Sequence, residues 1–449
     1  MALIPLRQLV SQISPFITDV RTKSLYINVF FGLLGRLINL ASTFFAIPLA
    51  LEALGKGDYG VLAVIISITT FFSYADFGLG SSLVNDVAMA DSENDLARAK
   101  KSISQVWFLL CGIALAIIFV GMLLVSLDLL SVVLPISAGN QTQVVWMTLV
   151  AASALGIPLA TSQRVFFALR LGGTAQSWTT AARIAVIIGA FVSSIYFRNL
   201  YAFAFSFVVM PPFVAALSTA YLFFLKRPDL KPDRSVIDAT DMLVRLKDGL
   251  KYAFLNVCTF LEVGLDPYFN SLFFSSTIVA EVDLQLRIYM YVPALLSIAL
   301  APFWPAVASA QAGGDFKWAK NIIVAASIGV PIVASGSAFF LYANKEAILH
   351  WWLHRSIPVS GELSILIPIF SVLQSIGLFQ LICLNALGGV RTSASVSFGI
   401  LVLFLPLKII ALKNGTPASG YEVLLVWYLI KISVFSYAIK RLVDRVGKS

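Results

Sequence analysis

Charge is scarce in this chain, and that scarcity removes most function classes at once. Charged residues make up 12% of the 449 positions and hydrophobic ones 59%, a balance that a water-soluble globule could not wrap without leaving large apolar patches in solvent. Cysteine is rarer still. Cys111, Cys258 and Cys383 stand far apart, each inside an apolar run, so neither a disulfide framework nor a thiolate metal site is implied. The two histidines, His350 and His354, are spaced for one helical face but lack a third ligand. They flank Trp351 and Trp352, the pattern of an aromatic belt at a membrane interface rather than of a zinc site. Gly55-Lys56-Gly57 is too short for a phosphate cradle and fits a hairpin between two apolar runs. With no nucleotide-binding domain expected, the energy for any transport must come from a gradient or from the substrate. No cleavable signal peptide is expected, because the first apolar run is long enough to span a bilayer.

Long apolar runs fill the chain instead. A hydrocarbon core of about 30 Å needs about 20 apolar residues per helix, and about twelve runs meet that length. They lie at 25–49, 61–84, 106–127, 144–169, 178–197, 201–225, 250–274, 284–308, 322–343, 364–387, 393–412 and 421–439. In lipid each must satisfy its own backbone N–H and C=O groups, so all are read as helices. The predicted fold class is an all-α polytopic membrane protein. Ahead of the first run, Leu3, Leu6, Leu9, Val10, Ile13, Phe16, Ile17 and Val20 repeat at helical spacing, which predicts an amphipathic helix lying on the cytoplasmic face.

Orientation follows from Lys and Arg, which resist translocation. With the N-terminus inside, about 22 of them fall on cytoplasmic segments, about 6 on periplasmic ones and about 4 within spans. Both termini are therefore expected in the cytoplasm of a bacterial cell, with the chain in the inner (plasma) membrane. Arg7, Arg21 and Lys23 precede the first span, and Lys440, Arg441, Arg445 and Lys448 follow the last. The net charge of +9 is then a topology signal and not a nucleic-acid footprint.

The longest polar stretch between spans, 226–247, carries Lys226, Arg227, Lys231, Arg234 and Arg245 with Pro228 and Pro232 and divides the spans six and six. The expected organisation is an N-terminal lobe over 1–225, a cytoplasmic linker over 226–247 and a C-terminal lobe over 248–449. The halves resemble each other weakly at an offset that aligns Tyr26 with Tyr252 and Arg36 with Glu262. Each opening helix pair is followed by acid before base, Asp91 to Lys101 in one half and Asp315 to Lys320 in the other. An even number of spans per half gives both the same orientation, so the lobes are related by a pseudo-two-fold along the membrane normal.

Ionisable residues inside spans are costly, about 2.5–3.5 kcal/mol each at a lipid-facing helix centre, so they normally face protein or a wet cavity. Those read from the sequence are Arg36, Asp76, Arg183, Glu262, Asp266, Arg287 and Lys431. In the first span Asn28, Gly32, Gly35, Arg36, Asn39 and Thr43 share one face, and in the seventh Thr259, Glu262, Asp266 and Asn270 do the same. Such stripes serve either helix packing and internal ion pairs or the lining of a central cavity. Among the prolines in or near spans, Pro267 beside Asp266 stands out, because a carboxylate at a broken turn can hold a cation together with freed carbonyls.

Several short stretches resemble polysaccharide flippases of the Wzx type in the multidrug/oligosaccharidyl-lipid/polysaccharide exporter superfamily. They are Ala46-Ile47-Pro48-Leu49, Leu54-Gly55 and Asp58-Tyr59-Gly60; Ala75-Asp76-Phe77-Gly78-Leu79-Gly80; Pro302-Phe303-Trp304-Pro305-Ala306 through Gly314-Asp315 and Trp318; and Asn385-Ala386-Leu387-Gly388-Gly389 before Arg391. Together they cover both halves in the expected order. The resemblance implies two six-helix lobes that pass an undecaprenyl-diphosphate-linked oligosaccharide from the cytoplasmic to the periplasmic leaflet by alternating access. Its expected partners are that lipid-linked oligosaccharide, membrane lipids and other polysaccharide-assembly proteins, with no nucleic acid. Each sugar hydroxyl costs roughly 4–8 kcal/mol to move into hydrocarbon unpaired, so a polar pathway is required. Against the anionic diphosphate the expected ligands are Arg36, Asn39, Arg183, Arg287 and Lys431. Glu262 and Asp266 are placed to share a coupling proton or Na⁺, the only small cofactor expected, and Arg36 and Glu262 are expected to pair when the cavity is empty. Alternatives are a multidrug or lipid II exporter of the same superfamily and, in another class, a membrane polysaccharide polymerase or glycosyltransferase. The latter needs a large periplasmic catalytic loop, for which 344–362 leaves little room.

Overall fold

The computed structural model describes residues 20–446 except 73, 75, 77, 128–139, 239–240, 243–245, 247–256, 259, 301–302, 313 and 355–360. The side chains of 20–33, Arg36 and a few other helical residues also lie outside the described set, as does the amphipathic helix expected before Val20. Among the described residues helices alone occur, and ten helical stretches are long and apolar enough to cross a membrane. The chain is a multi-pass, all-α membrane protein.

The first of those stretches carries two expected spans. Its helix, Val20–Phe72, is interrupted at Gly55, whose φ of 73° lies in the left-handed region that suits glycine. Both arms run away from Gly55 along the other lobe. On one arm Phe44 meets Tyr291 and Asn39 lies beside Ser297; on the other Phe71 meets Phe260. Side-chain caps start the third and ninth spans. Asp95 accepts from the Arg98 N–H at 2.9 Å and Asp315 from the Trp318 N–H at 3.1 Å, each satisfying an otherwise orphan donor. These caps sit in the acid-before-base stretches that the two halves share.

Three expected boundaries are corrected. The second span, read as 61–84, has its helix end at Phe72, and a separate helix, Leu79–Ser92, begins after turn residues Tyr74, Asp76 and Gly78. The fourth breaks at Ala160, between Leu159 and Thr161, two residues past Pro158, whose missing N–H already leaves the Ala154 carbonyl without its helical donor. The eighth starts eight residues earlier than expected, at Ser276, and ends at Ala299. Asp283 and Glu281 interrupt the apolar run in sequence but are paired in the structure. In the sixth span a π-helical turn, Phe205–Val209, precedes Met210-Pro211-Pro212.

Each half has its own core. In the N-terminal half Leu83 and Val87 pack with Ile103, Val106, Val165 and Phe166, and in the C-terminal half Ile367 and Phe370 pack with Tyr421, Leu424 and Trp427. A third cluster joins the halves: Ala46, Ile47, Ala50, Leu51 and Tyr59 against Ala280, Leu284, Ile288, Leu349 and Trp352. Its small residues let backbones approach closely, which in lipid substitutes for a hydrophobic driving force. Gly60 shows how close: a Cβ there would stand 1.8 Å from the Ser276 carbonyl oxygen. Large apolar side chains such as Phe119, Leu225 and Phe339 are exposed on the outside, as expected for a surface that faces acyl chains.

The linker is pinned to the N-terminal half. Leu230 is buried in that core, Lys100 pairs with Asp233 at 2.9 Å and Lys101 with Asp241 at 2.7 Å. Lys100, helped by the Ser235 N–H and hydroxyl, holds the Asp233 carboxyl well below the usual carboxylate range.

Candidate functional site

The seam between the halves is closed at the end that carries the Gly55 turn. There the Tyr59 hydroxyl donates to Asp283 Oδ2 at 2.7 Å, Arg287 Nε donates to the same oxygen at 2.6 Å, and Lys56 Nζ meets Glu281 Oε1 at 2.9 Å. Trp352, on the short helix Lys345–Leu353, stacks on Phe44 with ring centroids 5.2 Å apart. Its indole N–H donates to the Phe44 carbonyl at 2.7 Å. Pro48, four residues on, has no N–H to offer that carbonyl, and the opposite half supplies the missing donor.

Farther from Gly55 the same helices part around an open cavity of about 520 Å³, lined by Asn39 and Leu40 from one half and by Ser297, Ile298, Trp304 and Ile382 among others from the other. Among the described residues no ionisable side chain lines it. It offers apolar walls, one amide, one hydroxyl and an indole, which suits an apolar or aromatic body with few polar groups.

The ionisable residues read from the seventh and twelfth spans lie inside the C-terminal half. Lys431 Nζ meets both carboxylate oxygens of Glu262, at 2.6 and 2.9 Å, and the Tyr428 hydroxyl donates to Glu262 Oε2 at 2.9 Å. Lys408 pairs with Asp266 Oδ1 and also reaches the Glu262 carbonyl at 3.4 Å. All four charged residues are buried. The helix is interrupted at Gly264–Leu265 and restarts as Asp266–Ser271 with Pro267 in its first turn. The ammonium group of Lys408 thus stands at the broken turn where a coupling cation was expected. Buried pairs of this kind are held by geometry and added hydrogen bonds, because desolvation offsets most of their attraction.

A second cavity, of about 340 Å³, lies inside the N-terminal half. Its walls include Asp76 from the turn after the second span, Ala160 from the break in the fourth, and Pro211 and Pro212 beside the π-helical turn of the sixth. Asp76, in the turn after the second span, pairs with Arg164 at 3.4 Å on its rim, and Arg183 lines it from the fifth span.

The structure thus distributes the expected site residues over four places. Asn39 lines the seam cavity and Arg183 the N-terminal one. Arg287 is tied to Asp283, and Lys431, with its partner Glu262, is sequestered beside Asp266. Glu262 takes Lys431 and Tyr428 where Arg36 was expected, and the Arg36 side chain lies outside the described residues. Sequence reasoning missed Lys408, Asp283 and Tyr428. Lys408 was legible as a lone cation in the apolar run 400–412, whereas Asp283 was hidden by starting the eighth span one residue after it.

No family model matches the chain, and no curated protein matches it. Solved structures do. A multidrug resistance MATE family transporter of the MOP superfamily in its inward-facing conformation aligns over 93% of this chain and 99% of that one at TM-score 0.70 and 14% identity. An outward-facing structure of such a transporter gives TM-score 0.58 at 13% identity over 94% and 96% of the two chains. A MOP superfamily transporter from Pyrococcus furiosus, described by a reversed polarity of its binding pocket and a suggested different function, gives 0.61 at 14% identity over 94% and 96%. These neighbours belong to the superfamily whose motifs the sequence resembles, and two of the three to its multidrug branch. The chain has the two-lobed, all-helical fold of MATE-type transporters.

Proposed function

We propose that this chain is an exporter that works by alternating access, carrying amphiphilic organic solutes through the seam between its lobes. One observation carries this reading: the lobes are bonded together at the Gly55 end, while the same helices enclose a cavity of about 520 Å³ farther along. Rocking about the seam would exchange the closed end for the open one. The described lining of that cavity carries no charge, and with Trp304 and Asn39 on its wall it favours an apolar or aromatic cargo. The higher similarity to an inward-facing than to an outward-facing transporter agrees with closure at one end. With both termini cytoplasmic, the closed end would be periplasmic and the protein would lie in the bacterial inner membrane. Buried Lys408 and Lys431 neutralise Asp266 and Glu262 without an added ion, so a coupling proton or Na⁺ at these carboxylates would have to displace a lysine.

A second reading is the flipping of an undecaprenyl-diphosphate-linked oligosaccharide, in concert with other polysaccharide-assembly proteins. The sequence motifs and the arginines of the N-terminal cavity support it. The two readings part in one experiment. Expressed in cells that lack their own multidrug exporters, the chain should lower ethidium accumulation. In a flippase-deficient strain it should leave surface polysaccharide unrestored. The reverse pattern would replace the first reading with the second. Alternating access itself is tested by Gly57→Cys with Ser276→Cys in a background freed of native cysteines. A Cβ at residue 57 would stand 3.9 Å from Ser276 Oγ, near enough for a disulfide after minor adjustment. Oxidation should stop export and reduction restore it; undiminished export by the cross-linked protein would refute the mechanism.

A further inference from the structure

The cavity inside the N-terminal lobe has a charge imbalance that the seam does not explain. Its ionisable lining is Asp76, Arg164 and Arg183. Asp76 and Arg164 face each other at 3.4 Å, and among the described residues Arg183 has no acidic partner. Two guanidinium groups against one carboxylate leave a single positive charge on the wall of a cavity in a membrane-embedded lobe. Such a charge is costly unless something compensates it. A planar guanidinium with five donors is matched best by an oxyanion.

The rest of the wall is polar in a complementary way. Thr161 lines the cavity, is 1% exposed, and its hydroxyl has no hydrogen-bond partner, so a donor in the cavity wall is unused. Pro211 and Pro212 also line it. Neither has an N–H, so the Phe207 carbonyl lacks both an i+4 and an i+5 donor in its own helix. That leaves an acceptor for a hydroxyl carried by the ligand.

We propose that this cavity is a binding site for a small oxyanion group, phosphate or carboxylate, held by Arg183 with Arg164 and Thr161. The site is separate from the seam cavity. Its place on a transport pathway rests on the carrier reading above, but its binding of an anion does not. The bound group can come from a free solute or from a lipid headgroup.

The test uses the full-length protein. In phospholipid-free detergent and a chloride-free buffer, thermal unfolding is followed against inorganic phosphate at constant ionic strength. In parallel the protein is placed in phosphatidylcholine nanodiscs with and without phosphatidylglycerol. A saturable rise in melting temperature with phosphate is expected in the wild type, as is one with phosphatidylglycerol if lipid is the source. Arg183→Gln should weaken the response about 10-fold or more, as expected for loss of a charge-assisted contact. Thr161→Val, which keeps the side-chain shape, should weaken it less, and Arg198→Gln, on an exposed turn, should not change it. If Arg183→Gln unfolds, Thr161→Val and Arg183→Lys carry the test, both expected to bind more weakly than wild type. A response equal in all variants, or none to either phosphate or phosphatidylglycerol, overturns the proposal. Because nothing is transported in these measurements, failure here leaves the exporter reading to its own test.

Discussion

The indole N–H of Trp352 and the carbonyl of Phe44 are 2.7 Å apart across the seam, and Pro48 is the reason the carbonyl is free. A proline in one lobe thus creates an acceptor that a residue 308 positions later in the other lobe satisfies. Trp352→Phe keeps a ring against Phe44 but removes the donor, leaving a carbonyl unpaired at a cost of about 1–3 kcal/mol to the closed seam. Spin labels at Asp58→Cys and Asn344→Cys should then report a second, longer distance. An unchanged distance distribution would mean that the stacking alone holds this end.

Gly60 and Gly57 form a paired test of the same seal. Alanine at 60 places a Cβ 1.8 Å from a Ser276 backbone atom, which cannot swing away, whereas alanine at 57 meets only a hydroxyl at 3.9 Å. Gly60→Ala is expected to hold the lobes apart and abolish export, while Gly57→Ala retains it. Equal export by both variants would contradict the close approach.

The buried pair Glu262 and Lys431 should behave as a unit. Glu262→Gln or Lys431→Met alone strands a charge and should cost about 3–5 kcal/mol, whereas the double variant should recover most of that. The measurement is thermal or denaturant unfolding of all four proteins. Additive single effects would show that the two residues are not energetically coupled.

Linker docking gives a pH prediction. The Asp233 carboxyl is held below its usual range by Lys100 and Ser235, so its contribution is fully present above the unfolded value of about 3.9 and is lost only as pH falls below it. Pepsin should begin to cut the linker faster only below about pH 4. At neutral pH, Asp233→Asn should speed tryptic cleavage after Arg234. No change in tryptic rate would place the docking elsewhere, for instance on Leu230.

Much of the candidate site was visible as residue types and invisible as pairs. Glu262, Asp266 and Lys431 stood out as charges within apolar runs, but nothing local says that Glu262 meets a lysine 169 residues away. The eighth span was misplaced for the opposite reason. Glu281 and Asp283 look like the polar edge of a span until Lys56, Tyr59 and Arg287 satisfy them. Arg287 and Arg183 look equivalent in sequence, yet one is neutralised within its own helix and the other lines a cavity with no acidic partner of its own among the described residues.

The sequence by itself determined that the chain crosses a membrane many times and does so as helices. Those properties depend on the bilayer as solvent and on backbone chemistry, and both act over one or two dozen consecutive residues. Only the tertiary structure decided which lobe end is closed, which charges cancel, and where cavities remain. Those outcomes depend on the rotation and depth of each helix against several neighbours, and a shift of one residue turns a helical side chain by about 100° away from its partner.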